Sequence, residues 1–170
     1  MPNTDAEQTA LDRMTRTMYF AIGIATIIFG MLLAPSKAGF GGQMGQVDSN
    51  FMKFSIFIVL LVPATFPILA RLLPLTAMRG LVTAVGIGFV SCQLLFPIAL
   101  NGDTLESHSA PWLQGFGPIP ATLIAVAWGG RITWVFALSQ GPIVMFVALA
   151  TRDDTTIRAI LDGIGATVSC

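Results

Sequence analysis

The chain has 170 residues, of which 54% are hydrophobic and only 11% are charged. Soluble domains usually carry about 25% charged residues, so this composition excludes an ordinary soluble protein and predicts one all-α, polytopic transmembrane helical domain over 17–170. Nine basic and nine acidic residues give no net charge, which argues against nucleic acid as a partner.

The N-terminal residues 1–16 are polar and of mixed charge, and they predict a short cytoplasmic tail. An apolar run at 17–34 follows directly, and Arg13 and Arg16 would hold its start on the cytoplasmic side. Small residues at 36–38 resemble a signal-peptide cleavage site, but the leader would then be net negative, which is wrong for a signal peptide. We therefore interpret 17–34 as the first membrane span.

Residues 35–53 predict the first external loop, because four glycines within 39–45 disfavour a stable helix. The next two apolar runs predict a second span at 54–73 and a third at 79–100. Each has the length needed to cross a hydrocarbon core of about 30 Å. The short link between the apolar runs 54–70 and 80–100 carries Arg71 and Arg79 and no acidic residue, which places it in the cytoplasm.

The second and third spans carry features of close helix packing. Pro63 and Pro67 each remove a backbone hydrogen bond and predict a kink in the second span. In the third span, Ala84, Gly88 and Cys92 recur every four residues, which forms a ridge of small side chains. This ridge fits packing within the chain or, as the alternative, a homodimer face.

The second external loop is predicted at 101–117. It contains Asp103, Glu106 and His108, which could sense protons or bind a metal ion. The alternative is a solvated loop whose residues happen to be polar. Three potential ligands within a short flexible loop do not by themselves identify a metal site.

The fourth and fifth spans are predicted at 113–130 and 132–151, with Arg131 in the cytoplasmic turn between them. Gln140 at bilayer depth must face protein or water. The middle of the fifth span is therefore interpreted as a kinked packing site or, alternatively, a transport site, formed by Ser139, Gln140 and Pro142.

A third external loop is predicted at 151–158, followed by an apolar segment at 159–170 that is too short to cross a bilayer. The segment either lies in the membrane interface or begins a sixth helix that is cut. The sequence thus predicts five complete spans and an incomplete or interfacial sixth.

No motif for catalysis or cofactor binding is found: there is no phosphate-binding glycine loop, CxxC, HExxH or GxSxG. Cys92 and Cys170 form no zinc pattern and give no support for a disulfide. Apart from their end residues Arg71 and Arg79, which lie at the cytoplasmic link, the five complete spans contain no acidic or basic residue, so the usual mark of ion-coupled transport is missing. We expect neither an enzyme nor a bound cofactor.

Three short segments carry a resemblance to a known family: Ala-Pro-Trp at 110–112, Ala-Val-Ala-Trp with Arg-Ile-Thr-Trp at 125–134, and Ile-Leu-Asp at 160–162. With the order of spans, they resemble the N-terminal multi-span membrane region of actinobacterial sensor histidine kinases. The resemblance implies a sensory or anchoring module in the plasma membrane, whose kinase activity would belong to a longer parent chain.

Two other classes remain open from the residues themselves. One is a small transporter or channel subunit, and the other is a structural subunit of a larger membrane complex. In each case the expected partners are the lipid bilayer and a second copy of the chain or a larger membrane assembly.

Overall fold

The computed structural model describes residues 4–36, 39–102, 105, 110–151 and 156–169. The elements among these residues are helical, apart from an isolated antiparallel bridge between Val47 and Leu100. The predicted all-α class is therefore confirmed.

Nine α-helices are found in the described residues, and two of them are joined by a π-helical turn. They are α1 Thr4–Leu33, α2 Phe40–Gln43, α3 Ser49–Ile56, the π turn Phe57–Leu61, α4 Val62–Ala64, α5 Phe66–Leu72, α6 Leu75–Leu95, α7 Pro118–Trp128, α8 Gly130–Thr151 and α9 Thr156–Ser169. Two 3-10 turns, Phe96–Ala99 and Trp112–Phe116, lie between α6 and α7.

Three helical segments are long and apolar enough to cross a membrane: Glu7–Leu33, Leu75–Ala99 and Gly130–Thr151. A fourth span exists if Ser49–Ala64 and Phe66–Leu72, which meet at a bend of 55°, are counted as one. The part of the chain that the structure describes is thus all-helical with three or four candidate spans, and the predicted count of five complete spans is not confirmed.

The difference arises at the predicted fourth span, 113–130. It is divided into the 3-10 turn Trp112–Phe116 and helix α7, which has 11 residues and so is only about 16 Å long. Pro118 and Pro120 occupy the first turn of α7, where their missing N–H groups do no harm. The region is apolar, but its glycines and prolines restrict the α-helix to Pro118–Trp128.

Two other boundaries differ from the sequence prediction. The predicted tail is helical from Thr4 and continuous with the first span. The predicted loop at 35–53 contains the single turn α2 and the start of α3, so the second span begins at Ser49. Asp48 makes this earlier start stable, because its Oδ1 accepts hydrogen bonds from the N–H groups of Asn50 at 3.0 Å and Phe51 at 2.9 Å.

The helices reverse direction at two short turns that lie at the same end of the bundle, which we call the arginine end. Leu73 and Pro74 are extended and separate α5 from α6. Gly129 and Gly130 have φ of 58° and 50°, and this left-handed backbone favours glycine between α7 and α8. Trp128 Nε1 donates to Thr83 Oγ1 at 2.9 Å, which fixes the second turn beside the first part of α6.

At the opposite end, residues 40–48, 96–101 and 110–116 pack together, and we call this structure the cap. A buried core lies beneath each end. The core at the arginine end comprises Tyr19, Phe66, Ala70, Met78, Val82, Val85, Leu123, Ile124 and Ala127. The core below the cap comprises Val47, Met52, Val59, Phe89, Cys92, Phe96, Leu105, Trp112, Leu113 and Phe116.

Candidate functional site

The bend between α4 and α5 is the most irregular part of any candidate span. It lies at Thr65, between Pro63 and Pro67, which the sequence marks as kink positions. Neither proline can donate to the carbonyl four residues earlier. Thr65 Oγ1 instead donates to Val62 O at 2.6 Å, and Thr65 N donates to the same oxygen at 3.1 Å. The carbonyl of Val62, within the bend, is therefore satisfied locally.

The π-helical turn Phe57–Leu61 directly precedes this bend. A π turn inserts a wider hydrogen-bonded ring into an α-helix and is frequent at functional sites. The segment from Ser49 to Leu72 thus combines two helix irregularities within about three turns.

Helix α1 packs against the side of the bend that carries Pro67. Gly23 lies against the ring of Pro67 and the main-chain oxygen of Pro63. Pro63 O is the oxygen that an N–H at position 67 would otherwise have bonded, so α1 packs where the helix lost a hydrogen bond.

Arg16 of α1 holds the arginine end of the bent segment. Its Nη1 donates to Ala70 O and, at 3.1 Å, to Leu73 O. These carbonyls end α5 and have no helical partners, so a cation there satisfies them and complements the helix dipole. The guanidinium therefore stabilises the C-terminal end of α5, in addition to its role in the predicted membrane orientation.

The cap holds the other end of the bent segment. Asp48 N donates to Ala99 O at 2.7 Å, and Asn101 N donates to Gln46 O at 2.9 Å. These bonds flank the Val47–Leu100 bridge and join the first predicted external loop to the second. Because Asp48 also caps α3, the cap is continuous with the first turn of the bent segment.

Gln43 fastens the cap from within and is 0% exposed. Its Nε2 donates to Ala110 O at 2.9 Å, and its Oε1 accepts from Trp112 N at 3.0 Å. One amide thus clamps two backbone groups about 70 residues further along the chain. Sequence analysis missed Gln43, because one glutamine in a glycine-rich segment gives no indication of burial.

The predicted sensing residues Asp103, Glu106 and His108 lie outside the described residues. Leu105, between them, is buried, and its N–H donates to Thr151 O at 3.1 Å. Among the described residues, no three His, Cys, Asp or Glu side chains lie close enough together to hold a metal ion.

The predicted small-residue ridge on α6 divides into two parts. Cys92 is buried in the core below the cap, and a Cβ at Gly88 would lie 2.8 Å from Ile58 Cγ2 in the π turn. This part therefore packs against the chain itself. Ala84 is exposed and is the only ridge residue on an outer surface.

The predicted polar site on the fifth span lies inside α8, which runs through Pro142 without a break. Ser139 Oγ donates to Phe136 O at 2.7 Å, a local helix bond. Gln140 is 1% exposed and its Nε2 has no hydrogen-bond partner in the described structure. Gly141, next to it, packs against Gly163 of α9.

A second buried amide lies on α6. Gln93 is 3% exposed, and its Oε1 also lacks a partner in the described part of the chain. Gly86 and Phe136 lie in contact, and α6 and α8 both run from the arginine end towards the cap. Counting from that contact puts Gln93 and Gln140 within about 5 Å of the same depth. An unpartnered acceptor and an unpartnered donor therefore lie at similar depths on two helices that contact each other.

No protein family, no curated protein and no solved structure matches this chain. The resemblance to sensor histidine kinases therefore stays a prediction.

Proposed function

We propose that this chain is a non-catalytic, membrane-embedded module of the sensory or anchoring class, which transmits a change from one membrane face to the other. The observation that carries the proposal is the bent segment Ser49–Leu72, which is held at one end by the cap and at the other by Arg16. Because one end of this segment is bonded to the cap and the other to α1, a change in the bend angle would move the cap relative to the arginine end. The resemblance to sensor histidine kinases, which rests on residues outside this segment, supports the same class.

The proposed mechanism is a shift between two arrangements of the bend. A stimulus at the cap would act only by favouring one arrangement over the other. Hinges of this kind use a few residues that absorb a change of backbone angles, and the π turn with Thr65 provides them here.

We further propose that the arginine end is cytoplasmic and that the N-terminus lies on that side of the plasma membrane. Arg71, Arg79 and Arg131 lie beside the two short turns at this end, and Arg13 and Arg16 precede the apolar part of α1. The positive-inside rule assigns such short basic segments to the cytoplasm. Five complete spans would then require the 3-10 turn Trp112–Phe116 and α7 to cross the membrane together.

Cysteine labelling tests this orientation. In a Cys170→Ser background, Ser107→Cys should react with a membrane-impermeant thiol reagent on intact cells, and Thr76→Cys should react only after the cells are opened. The native Cys92 is buried and adds little labelling. The reverse pattern would overturn the orientation.

Spin-label distances test the hinge. Labels at Phe54→Cys and Leu72→Cys, both exposed, span the bend. Labels at Ile132→Cys and Leu149→Cys span the unbroken α8 over nearly the same number of residues. We expect a broad or two-peaked distance distribution across the bend and a narrow one along α8. Equally narrow distributions for both pairs would contradict the proposed mechanism.

The alternative function is that of a small transporter or channel subunit, and the buried amides of Gln93 and Gln140 favour it. Polar groups inside a bundle often mark a substrate path. The signalling proposal predicts that the purified chain neither binds ATP nor moves solutes across proteoliposomes. Saturable uptake that is lost in Gln140→Leu would establish the transporter instead.

A third candidate is a structural subunit of a larger assembly or a homodimer. The exposed Ala84 supports it, because a small side chain on an outer helix surface permits close approach of a second helix.

A further inference from the structure

A cleft lies between α1 and α5 at the arginine end, with a volume of about 470 Å³. Three arginines and one acid line its polar part, and aromatic, proline and alanine side chains line the rest. The lining residues that determine its chemistry are Asp12, Arg13, Arg16, Arg71, Phe20 and Pro67.

Two of the three arginines, Arg16 and Arg71, are held by groups that do not neutralise them. Arg16 bonds main-chain carbonyls at the end of α5. The guanidinium carbon of Arg71 lies 5.4 Å from the centre of the Phe20 ring, a cation–π contact. Asp12 is the only acid among the described lining residues, so the cleft keeps a net positive charge.

The apolar part of the cleft continues into the membrane-spanning region. Phe20 and Pro67 lie on the membrane side of the arginines along α1 and α5, and Phe20 is partly exposed. A ligand that fills the cleft would thus need an anionic group near the arginines and an apolar part beside these rings.

We propose that this cleft binds the phosphate headgroup of an anionic phospholipid, with the start of an acyl chain against Phe20 and Pro67. Arginine presents paired donors that match phosphate oxygens, and basic pockets between membrane helices bind such headgroups. The proposal requires only that the chain is embedded in a membrane, and it is independent of the signalling role.

Lipid retention in native mass spectrometry tests the proposal. The full chain is extracted from vesicles of phosphatidylcholine in which part of the lipid is replaced by phosphatidylglycerol, and the bound lipids are counted. We expect preferential retention of phosphatidylglycerol, reduced about fivefold by Arg71→Gln and again by Arg13→Gln, since each arginine contributes a comparable electrostatic term. Arg71→Lys should retain less than the wild type and more than Arg71→Gln, because the charge remains but the paired donors of the guanidinium are lost.

Arg131→Gln is the matched control, since Arg131 is exposed at the same end and does not line the cleft. It should leave phosphatidylglycerol retention unchanged. An equal loss in Arg71→Gln and Arg131→Gln would mean that the whole surface attracts lipid, and it would overturn the cleft as a site.

A competition arm separates the lipid from a soluble anion. Inorganic phosphate at the same ionic strength as a chloride control should not displace phosphatidylglycerol, because phosphate has no apolar part to contact Phe20 and Pro67. Displacement by phosphate beyond that of chloride would overturn the lipid assignment.

Discussion

Gly23 of α1 and Pro67 of α5 approach so closely that no side chain fits between them. A Cβ at Gly23 would overlap the Pro67 ring, lying 2.8 Å from Cγ, and it would lie 3.0 Å from Pro63 O. The obstacle is a closed ring and a backbone oxygen, neither of which can rotate away. The position of α1 therefore depends on the absence of a side chain at position 23.

Gly23→Ala should destabilise the protein by about 1–3 kcal/mol, because the added methyl group forces α1 away from the bend. Gly80→Ala is the matched control, since Gly80 is also helical and a Cβ there meets no atom within 4 Å. That control should be neutral or stabilising by about 0.5–1 kcal/mol. Thermal unfolding in detergent measures both changes, and equal melting temperatures would show that α1 does not need this close contact.

The folded cap depends on the two hydrogen bonds of the Gln43 side chain. Gln43→Ala leaves Ala110 O and Trp112 N without their bonds in a buried site, and we expect a loss of about 2–4 kcal/mol. The cap should then become sensitive to limited proteolysis near 36–48 before the rest of the chain unfolds.

Gln46→Ala controls for the loss of a glutamine from the same segment. Its Nε2 makes a longer bond, 3.4 Å, to Gly42 O, its side chain is only partly buried, and its main-chain oxygen, which accepts from Asn101 N, is kept in the variant. A loss below about 0.5 kcal/mol is expected. If Gln46→Ala opened the cap as readily as Gln43→Ala, the buried clamp would not be what closes it.

Local features of the sequence were sufficient to predict much of this architecture. Helical class follows from composition, and the position of the bend follows from Pro63 and Pro67, because proline acts on its own helix. The hydrogen bonds of the Gln43 amide and of the Arg16 guanidinium were not predictable. Each joins residues more than 50 positions apart, and their partners are backbone groups that any residue could supply.

The number of spans could not be predicted from the sequence for a related reason. Hydropathy records how apolar a segment is, whereas crossing a membrane in one helix also requires an uninterrupted backbone. In 113–130, Gly115, Gly117 and Pro118 divide an apolar run into a 3-10 turn and a short helix.

Substitutions in the small-residue ridge distinguish packing within the chain from packing between two copies of it. Gly88→Leu should lower the melting temperature, corresponding to about 1–3 kcal/mol, because the larger side chain would displace Ile58 and the π turn. Gly88→Ala should have a smaller effect, since the nearest atom is a side-chain methyl group that can shift.

Ala84→Leu is the complementary variant on the exposed part of the ridge. It should leave the stability of the monomer unchanged, and it should weaken self-association if Ala84 lies in a homodimer face. Sedimentation in matched-density detergent measures the association. An unchanged stability of Gly88→Leu would contradict the packing against Ile58.

A substitution at Gln140 tests whether its buried amide lacks a hydrogen-bond partner. Its Nε2 is buried without a partner in the described structure, so Gln140→Leu, which is similar in volume, should raise stability by about 1–2 kcal/mol by removing that unsatisfied donor. Ser139→Ala is the neighbouring control and should change stability by less than about 0.5 kcal/mol, because only a local bond to Phe136 O is lost.

A double-mutant cycle with Gln93→Leu extends this test to the second amide. If the two side chains act independently, their effects on the melting temperature add, and both single variants are stabilised. If they share a hydrogen bond or a bridging water, each single variant is destabilised and the cycle shows a coupling above about 0.5 kcal/mol. Destabilisation by Gln140→Leu together with such coupling would contradict the unpartnered amide. It would instead identify Gln93 and Gln140 as a polar link that holds α6 to α8 below the cap.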